Sequence, residues 1–242
     1  MERTERLWPG GPVFFYDDTL FPPSTDSFLL ADFAAPRSGW RVCDLGSGTG
    51  LLGTLLLARQ ETLELVNVEI EPEGCALAER AAAANGFAHR VTCLRADLRD
   101  AARLPKANSF DLVITNPPYF PVERGLAAAG SRGSARSELT ASLEDVLRSA
   151  ARLLKFGGRL ALVFRTERMA ELFETAREVH LEPKRMRLIQ HRADAAPSLL
   201  LLECRKGGRP GLTVEPVLLM ETADGESADV RRAYFRDKET EL

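Results

Sequence analysis

Strand-like apolar segments alternate with helical segments through most of the chain, and this alternation constrains the fold more than any other feature. Buried-strand patterns lie at 40–46, 63–71, 90–98, 110–116 and 159–165. Helical patterns between them indicate a parallel sheet with helices on both faces. Two further strand-like segments near residue 190 follow each other without a helix, so we expect an antiparallel pair. The sequence therefore predicts a mostly parallel α/β sheet.

Length and composition predict one compact domain with short extensions. The chain has 242 residues, of which 45% are apolar and 28% charged, which is ordinary for a globular protein. We expect a core domain over 25–205. An N-terminal extension over 1–24, with a possible hairpin at 12–21, precedes it. A C-terminal extension over 206–242 is expected to pack on the same domain.

Several features argue against membrane and metal-binding classes. The chain begins without an apolar signal segment, and no run approaches the roughly 18 apolar residues of a membrane span. The four cysteines form no C-x-x-C pair and have no metal-ligand spacing. We therefore expect buried, reduced thiols, no metal site and a cytoplasmic protein without membrane contact. No expectation about oligomeric state follows.

A glycine-rich turn follows the first predicted strand and indicates a nucleotide-like ligand. It reads D-x-G-x-G-x-G from Asp44 through Gly46, Gly48 and Gly50, and glycines let a ligand approach the backbone closely. The overlapping G-x-G-x-x-G pattern, with an acid about 20 residues later, is also the fingerprint of dinucleotide binding. Asp44 would repel a pyrophosphate but suits the cationic amino group and sulfonium of S-adenosylmethionine. The D-x-G-x-G-x-G pattern also resembles the first motif of Rossmann-like methyltransferases that bind S-adenosylmethionine. The resemblance and the position of Asp44 together favour S-adenosylmethionine over a nicotinamide cofactor.

The next two predicted strands also end in acidic residues. Glu69 ends the second strand, where a carboxylate can accept hydrogen bonds from both hydroxyls of a ribose. Asp97 follows the third strand and can accept from an adenine amine, with the Leu98 backbone beside it. The carboxyl ends of parallel strands share one edge of a sheet, so three acidic strand ends in a row indicate one cofactor site.

The fourth predicted strand ends in the segment NPPYF at 116–120, which serves at least as a strand stop. The exocyclic amine of a base or an amide is a poor nucleophile because its lone pair is delocalised. Asn116 Oδ1 and the Pro117 carbonyl can accept from both N–H groups and free that lone pair for attack. Tyr119, with Phe120 beside it, can stack on a flat substrate.

The combination of these motifs resembles a known family. DLGSGTG after the first strand and NPPY after the fourth resemble the amino-methyltransferases that act on adenine, cytosine or glutamine amides. With TDSFLLADF at 25–33, KGGRPGL at 206–212 and VRRAYF at 230–235, the chain resembles the bacterial tRNA1(Val) adenine N6-methyltransferases. The resemblance runs over about residues 12–236, nearly the whole chain.

This resemblance implies a Rossmann-like, seven-stranded methyltransferase fold with S-adenosylmethionine as the methyl donor. It implies that Asn116 also contacts the cofactor and that Thr25 helps to close the cofactor pocket. The implied substrate is adenine 37 in the anticodon loop of a tRNA. Besides a non-catalytic RNA-binding module that retains the fold, two enzyme alternatives stay open. One is a glutamine N5-methyltransferase acting on a release factor, which usually has a helical domain before the sheet. The other is an NAD-binding oxidoreductase.

A local excess of basic residues offers a surface for the tRNA backbone. Residues 181–210 contain seven basic and three acidic residues in a chain of net charge −3. We expect phosphate contacts from four of the basic residues, namely Arg185, Arg187, Lys206 and Arg209. A long loop over 121–138 carries further arginines, and loops of this length tend to be functional.

Overall fold

The structure is a computed structural model that describes residues 2–17, 23–117 and 141–236. Within these ranges the chain folds as an α/β protein with one large sheet between two layers of helices. A small hairpin lies at the N-terminal end. The α/β class predicted from the alternating sequence pattern is therefore confirmed.

The N-terminal hairpin lies earlier in the chain than expected. It pairs β1 (Glu2–Arg6) with β2 (Val13–Asp17) in antiparallel register, whereas the sequence suggested a hairpin at 12–21. The connecting segment contains Pro9 and Gly10, and Gly10 has a φ of 71°. Proline followed by a residue of positive φ is typical of a tight turn, which explains why the chain reverses here.

Seven strands longer than two residues make up most of the large sheet. In chain order they are β3 (Arg41–Leu45), β4 (Glu64–Glu69), β5 (Val91–Arg95), β6 (Phe110–Thr115), β7 (Leu154–Arg165), β8 (Leu181–Gln190) and β9 (Leu199–Lys206). Their spatial order is β8-β9-β7-β6-β3-β4-β5. Among these seven, β9 alone runs against the rest. The mostly parallel sheet and its antiparallel C-terminal pair are thus as predicted.

The strand order reverses beside β3. The chain moves outwards from β3 through β4 to β5, then returns to the other side of β3 with β6. Asp44 on β3 is in register with Ile114 on β6, and Thr115 Oγ1 donates to the Leu45 carbonyl at 2.7 Å. Sheets of this kind bind ligands at such a reversal, beyond the carboxyl ends of the strands.

Helices cover both faces of the sheet. In chain order they are α1 (Thr25–Ala34), α2 (Leu51–Arg59), α3 (Pro72–Ala84), α4 (Leu143–Leu153), α5 (Met169–Glu178) and α6 (Ala228–Ala233), with a 3-10 turn at Thr166–Arg168. Apolar residues of α1, α2 and α6 form one core against the sheet. Those of α4 and α5 form a second core on the opposite face.

The boundaries of α4 follow from its caps. Ser142 Oγ accepts from the Asp145 amide at 3.1 Å, and the Asp145 carboxylate accepts from the Ser142 amide at 3.0 Å. This reciprocal pairing defines the start of the helix at Leu143. In the sequence, apolar residues at helical spacing run from Leu139 to Leu154 and predict a helix over that whole stretch. Leu139 lies outside the described residues, and Leu154 already belongs to β7.

Short strands extend the sheet next to β8. The segment TVEPVLLME at 213–221 has the sequence pattern of one short strand. The structure has two, β10 (Thr213–Val214) and β11 (Leu218–Leu219), both parallel to β8. Pro216 lies between them and has no amide proton to donate, which explains the interruption. β12 (Glu221–Thr222) and β13 (Gly225–Glu226) then form a small hairpin before α6.

The cysteines are free thiols, as expected. Cys43, Cys75 and Cys204 are buried, but Cys93 is partly exposed. Cys93 lies on β5, which forms one edge of the large sheet, so a neighbouring strand covers it on one side only. The expectation that all four thiols are buried is therefore wrong for Cys93.

Candidate active site

The glycine-rich segment after β3 forms a tight turn before α2. Gly46, Gly48 and Gly50 have φ values of 74°, 55° and 79°, which residues with a Cβ rarely adopt. A Cβ added to Gly50 would lie 2.7 Å from the Ala78 Cβ, whereas one on Gly46 would meet no atom of the described residues within 4 Å. Gly50 therefore lets α2 and α3 pack closely, and Gly46 borders open space in which a ligand can approach the backbone.

The Glu69 side chain holds this turn from the end of β4. Oε2 accepts from the Gly48 amide at 2.6 Å, and Oε1 accepts from the amides of Ile70 and Glu71 at 2.8 and 3.0 Å. Glu69 is only 7% exposed, so these three donors fix its direction. A carboxylate has about four acceptor positions, and capacity therefore remains for a ligand hydroxyl.

Asp44 is a buried carboxyl group at the end of β3. It has no exposed surface, and neither oxygen has a hydrogen bond of normal geometry within the described parts of the chain. Burial raises the pKa of Asp44 to about 7, although the backbone amide of Gly53 lies near enough to lower that pKa in part. A buried acceptor without a partner is costly, and a cation bound at this edge of the sheet would offset that cost by stabilising the ionised form.

Asp97 follows β5 as expected, but its carboxylate is already paired. Arg99 Nη2 lies 2.6 Å from Asp97 Oδ2, and Arg99 Nε lies 3.0 Å from both oxygens. These hydrogen bonds hold the pKa of Asp97 below its usual value. The neighbouring Leu98 carbonyl accepts from Ser149 Oγ at 2.6 Å. An adenine amine at this position would therefore share Asp97 with Arg99.

Asn116 follows β6 and contacts the first turn of α1. Its Nδ2 donates to Ser27 Oγ at 3.3 Å and to Ser24 Oγ at 3.5 Å. Oxygen and nitrogen lie on opposite sides of a planar amide, so this pairing turns Oδ1 away from the serines. Pro117 is buried directly after it. Tyr119 and Phe120, the expected stacking residues, lie outside the described residues.

Thr25 is the first residue of α1 and contacts the C-terminal segment. Its Oγ1 accepts a hydrogen bond from Tyr234 Oη at 2.8 Å. The Tyr234 ring stacks on Phe28 with 4.2 Å between centroids. The turn that contacts Asn116 is therefore also fixed by a residue from the other end of the chain.

Two of the expected phosphate-binding arginines lie on β8 and are paired with carboxylates of neighbouring segments. Arg185 Nη2 lies 3.1 Å from Glu203 Oε2, and its Nη1 lies 3.2 Å from Glu215 Oε1. Arg187 Nη2 donates to Asp229 Oδ2 at 2.6 Å. The structure places both side chains between β8 and the segments that cover it, and does not bring them to Asn116.

Lys206 and Arg209, the other two expected phosphate-binding residues, lie at the end of the sheet where the parallel strands begin. Lys206 ends β9, which runs antiparallel, and its Nζ donates to the Leu154 carbonyl at the start of β7. Arg209 follows in the next loop, where its carbonyl accepts from Lys184 Nζ at 3.1 Å. Asn116 lies at the other end of the parallel strands, so the structure does not gather these residues around one site.

Three further residues lie at the carboxyl edge of the sheet, and the sequence motifs did not indicate them. A Cβ on Gly74 would lie 2.7 Å from the Gly48 carbonyl, so α3 approaches the glycine turn closely. Ser27 contacts Asn116, and Asn67 Oδ1 is buried without a partner in the described part of the chain. The sequence could have indicated Ser27 and Asn67, because each is a polar residue in an otherwise apolar helix or strand.

No group of three or more His, Cys, Asp or Glu side chains in the described ranges has the geometry to hold a metal ion. Among the described helices, none combines the length and apolar character that would let it cross a membrane.

The residues at the carboxyl edge fit S-adenosylmethionine better than a dinucleotide. Asp44 offers buried acceptor atoms that favour a cationic ligand. Gly46 borders open space, and Glu69 retains acceptor capacity beside it. A pyrophosphate would instead place negative charge close to two carboxyl groups, which is unfavourable.

A sheet whose strand order reverses beside β3 is the architecture of Rossmann-like methyltransferases. Here the glycine turn and Asn116 lie at that reversal. A solved structure with this fold is a predicted O-methyltransferase from Agrobacterium tumefaciens, with a TM-score of 0.70 and 27% identity. The match covers 86% of this chain and 96% of that one. The chain belongs to the methyltransferase small domain family, whose model matches residues 24–184. Its cofactor is S-adenosylmethionine.

Relatives named tRNA1(Val) (adenine(37)-N6)-methyltransferase match most of the chain. The one from Parabacteroides distasonis is 34% identical over 190 residues, which is 78% of each chain. The one from Tolumonas auensis is 31% identical over 201 residues, 83% of this chain and 82% of the relative. The structure of TrmN from Thermus thermophilus has a TM-score of 0.55 at 24% identity and covers 74% of this chain and 48% of that one. At that identity the likeness is one of fold.

Proposed function

We propose that this chain transfers a methyl group from S-adenosylmethionine to the exocyclic N6 amine of adenine 37 in the anticodon loop of tRNA1(Val). The observation that carries the proposal is Asn116-Pro117 at the end of β6, beside the glycine turn and Asp44 at the end of β3. Relatives that bear the name of this activity share 31–34% of their residues with the chain over at least 78% of it. We place the reaction in the cytoplasm, where tRNA is modified.

The proposed catalytic groups act on the amine. Asn116 Oδ1 and the Pro117 carbonyl accept hydrogen bonds from its two N–H groups, which favours a tetrahedral nitrogen with a free lone pair. The orientation of the Asn116 amide, with Nδ2 towards Ser27, supports this role for Oδ1. Pro117 has a fixed φ, and the proline after it restricts its ψ, so the carbonyl is held in one direction before substrate arrives.

The proposed cofactor residues lie at the three neighbouring strand ends and at α1. S-adenosylmethionine supplies an electrophilic methyl group on a sulfonium. In this proposal the Asp44 carboxylate favours the cationic end of the cofactor, and Glu69 accepts from the ribose. Asp97 and the Leu98 backbone accept and donate at the adenine. The proposed set also includes Gly46, Gly48 and Gly50, which let the cofactor approach, and Thr25 and Asn116, which border it.

The proposed substrate site continues into residues outside the described ranges. Tyr119, with Phe120 beside it, stacks on the target adenine in this proposal and holds it in line for attack. A base in the anticodon loop must be turned out of its stack to enter such a pocket, as is common for enzymes that modify bases.

Methyl transfer from labelled S-adenosylmethionine to an unmodified tRNA1(Val) transcript tests the proposal. Incubation with a release factor as an alternative acceptor separates the two amine substrates that the NPPY segment allows. We expect label in the tRNA, none in the release factor, and no transfer by the Asn116→Ala and Tyr119→Ala variants. Transfer to a protein glutamine with none to tRNA would contradict the proposal.

A further inference from the structure

The C-terminal segment, residues 233–235, packs against the rest of the protein directly beside α1. Arg59 Nη2 on α2 donates to the Ala233 carbonyl at 2.6 Å, and its guanidinium lies 4.1 Å from the centre of the Phe235 ring. The other face of that ring stacks on Trp8, with 3.8 Å between centroids. The position of Tyr234, between Ala233 and Phe235, is therefore determined from both sides.

The first turn of α1 lacks the cap that usually fixes a helix start. Ser24 is the N-cap residue, but its hydroxyl makes no capping hydrogen bond to the helix backbone. Its Oγ lies instead 3.1 Å from Ser27 Oγ and 3.5 Å from Asn116 Nδ2. Without a side-chain cap, the first turn depends on contacts from elsewhere in the chain for its position.

Tyr234 supplies such a contact. Its ring lies nearly parallel to Phe28, with 4.2 Å between centroids and 6° between planes. Its Oη donates to Thr25 Oγ1 at 2.8 Å. One side chain thus holds Thr25 and Phe28, while the two serines of the same turn accept from Asn116. The contacts form a continuous path from the C-terminal segment to the amide at the end of β6.

We propose that Tyr234 is a positioning residue that acts through Thr25 and the first turn of α1 to align the Asn116 amide. The inference rests on the proposed role of Asn116 in methyl transfer. It predicts that removing one hydroxyl group, far from Asn116 in sequence, slows the reaction without weakening the fold. Reactive groups displaced by a fraction of an ångström lose rate steeply, because catalysis by hydrogen-bond acceptors depends on their alignment.

The test compares Tyr234→Phe with Tyr16→Phe. Tyr234→Phe keeps the ring on Phe28 and removes the donor to Thr25. Tyr16→Phe removes a hydroxyl of the same kind, which donates to Glu5 at 2.6 Å in the N-terminal hairpin. We expect equal melting temperatures for the two variants, a fall of about tenfold in kcat for Tyr234→Phe alone, and an unchanged KM for tRNA. A Tyr234→Phe variant with the kcat of the parent protein would overturn the proposal.

A double variant separates action through Thr25 from a general loss of packing. In a Thr25→Val background the acceptor is absent, so adding Tyr234→Phe should lower kcat no further. A further fall equal to that of the single variant would overturn the proposal.

If the parent protein methylates no tRNA, the proposed function fails on its own. The contact with Thr25, which borders the proposed cofactor site, is then judged by S-adenosylhomocysteine binding in calorimetry. Weakening by Tyr234→Phe of about threefold or more supports it, and unchanged affinity overturns it.

Discussion

The Glu69 carboxylate accepts a hydrogen bond of 2.6 Å from the Gly48 backbone amide, which joins the end of β4 to the glycine turn after β3. The same carboxylate accepts from the first two amides after β4. Glu69 therefore fixes the shape of the turn before any ligand binds. The ribose contact proposed for Glu69 would therefore use a side chain whose position is already fixed.

Replacing Glu69 by Gln should weaken both the turn and cofactor binding. A Gln side chain would direct an NH2 group at one of the backbone donors that Glu69 now accepts. We expect the free energy of unfolding to fall by about 1–3 kcal/mol and S-adenosylhomocysteine affinity to fall about tenfold or more. Calorimetry and urea denaturation measure the two effects. Glu73→Gln, at an exposed position in the first turn of α3, is the control and should change neither.

The buried Asp44 predicts a specific dependence of stability on pH. Its pKa is about 7 in the folded protein, against an ordinary value of 3.8. Between these two values the folded state keeps a proton that the unfolded state has lost. Stability from this group is therefore greatest below about pH 4 and falls as the pH rises towards 7.

The variant Asp44→Asn removes this titration. Without ligand, it should be more stable than the parent protein at pH 8 by roughly 2–4 kcal/mol, since the parent then holds a buried charge. The difference should shrink towards pH 5. Urea denaturation at both pH values measures it. Equal stability at pH 8 would show that the ionised carboxylate is solvated or paired in solution.

The Asn116 amide should matter much more for turnover than for cofactor binding or stability. Asn116→Ala removes Oδ1, the proposed acceptor for the amine, and we expect kcat to fall at least about a hundredfold. The lost hydrogen bonds to the two serines are 3.3 and 3.5 Å long, so the melting temperature should change little. Single-turnover rates and S-adenosylhomocysteine titrations separate the effects. A variant that keeps its turnover but binds S-adenosylhomocysteine poorly would reassign Asn116 to the cofactor alone.

Much of the site could be predicted because parallel strands bring their carboxyl ends to one edge. Asp44 and Glu69 lie at the ends of apolar strands and Asn116 directly follows one, and local pattern alone indicates that they meet. The contact between Tyr234 and Thr25 spans 209 positions, and no local pattern signals it. The pairing of Asp97 with Arg99 depends on rotamers that a sequence pattern leaves open.

The basic residues near the C-terminal strands illustrate the limit of charge patterns. Arg185 reads as a surface charge because residues 181–210 carry a local excess of basic residues. Its partners Glu203 and Glu215 come from β9 and from the segment after β10, and only the fold brings them together. The sequence reveals the charge but not that a neighbouring strand neutralises it.

Arg185→Ala should therefore affect stability more than RNA binding. Removing it leaves Glu203, whose side chain is only 12% exposed, without one of its two cationic partners. We expect the free energy of unfolding to fall by about 1–3 kcal/mol. The salt dependence of tRNA binding should stay unchanged, whereas a lost phosphate contact would lower its slope by about one. Arg209→Ala, at an exposed position, is the matched control for stability.

The most direct test of the account is to locate the methyl group in the product. Purified protein, S-adenosylmethionine and unmodified tRNA1(Val) are incubated, and the digested tRNA is sequenced by mass spectrometry. A transcript with guanine at position 37 serves as the matched control. The account predicts N6-methyladenosine at position 37 and no methylation of the control. Methylation at another position, or equal methylation of both transcripts, would contradict it.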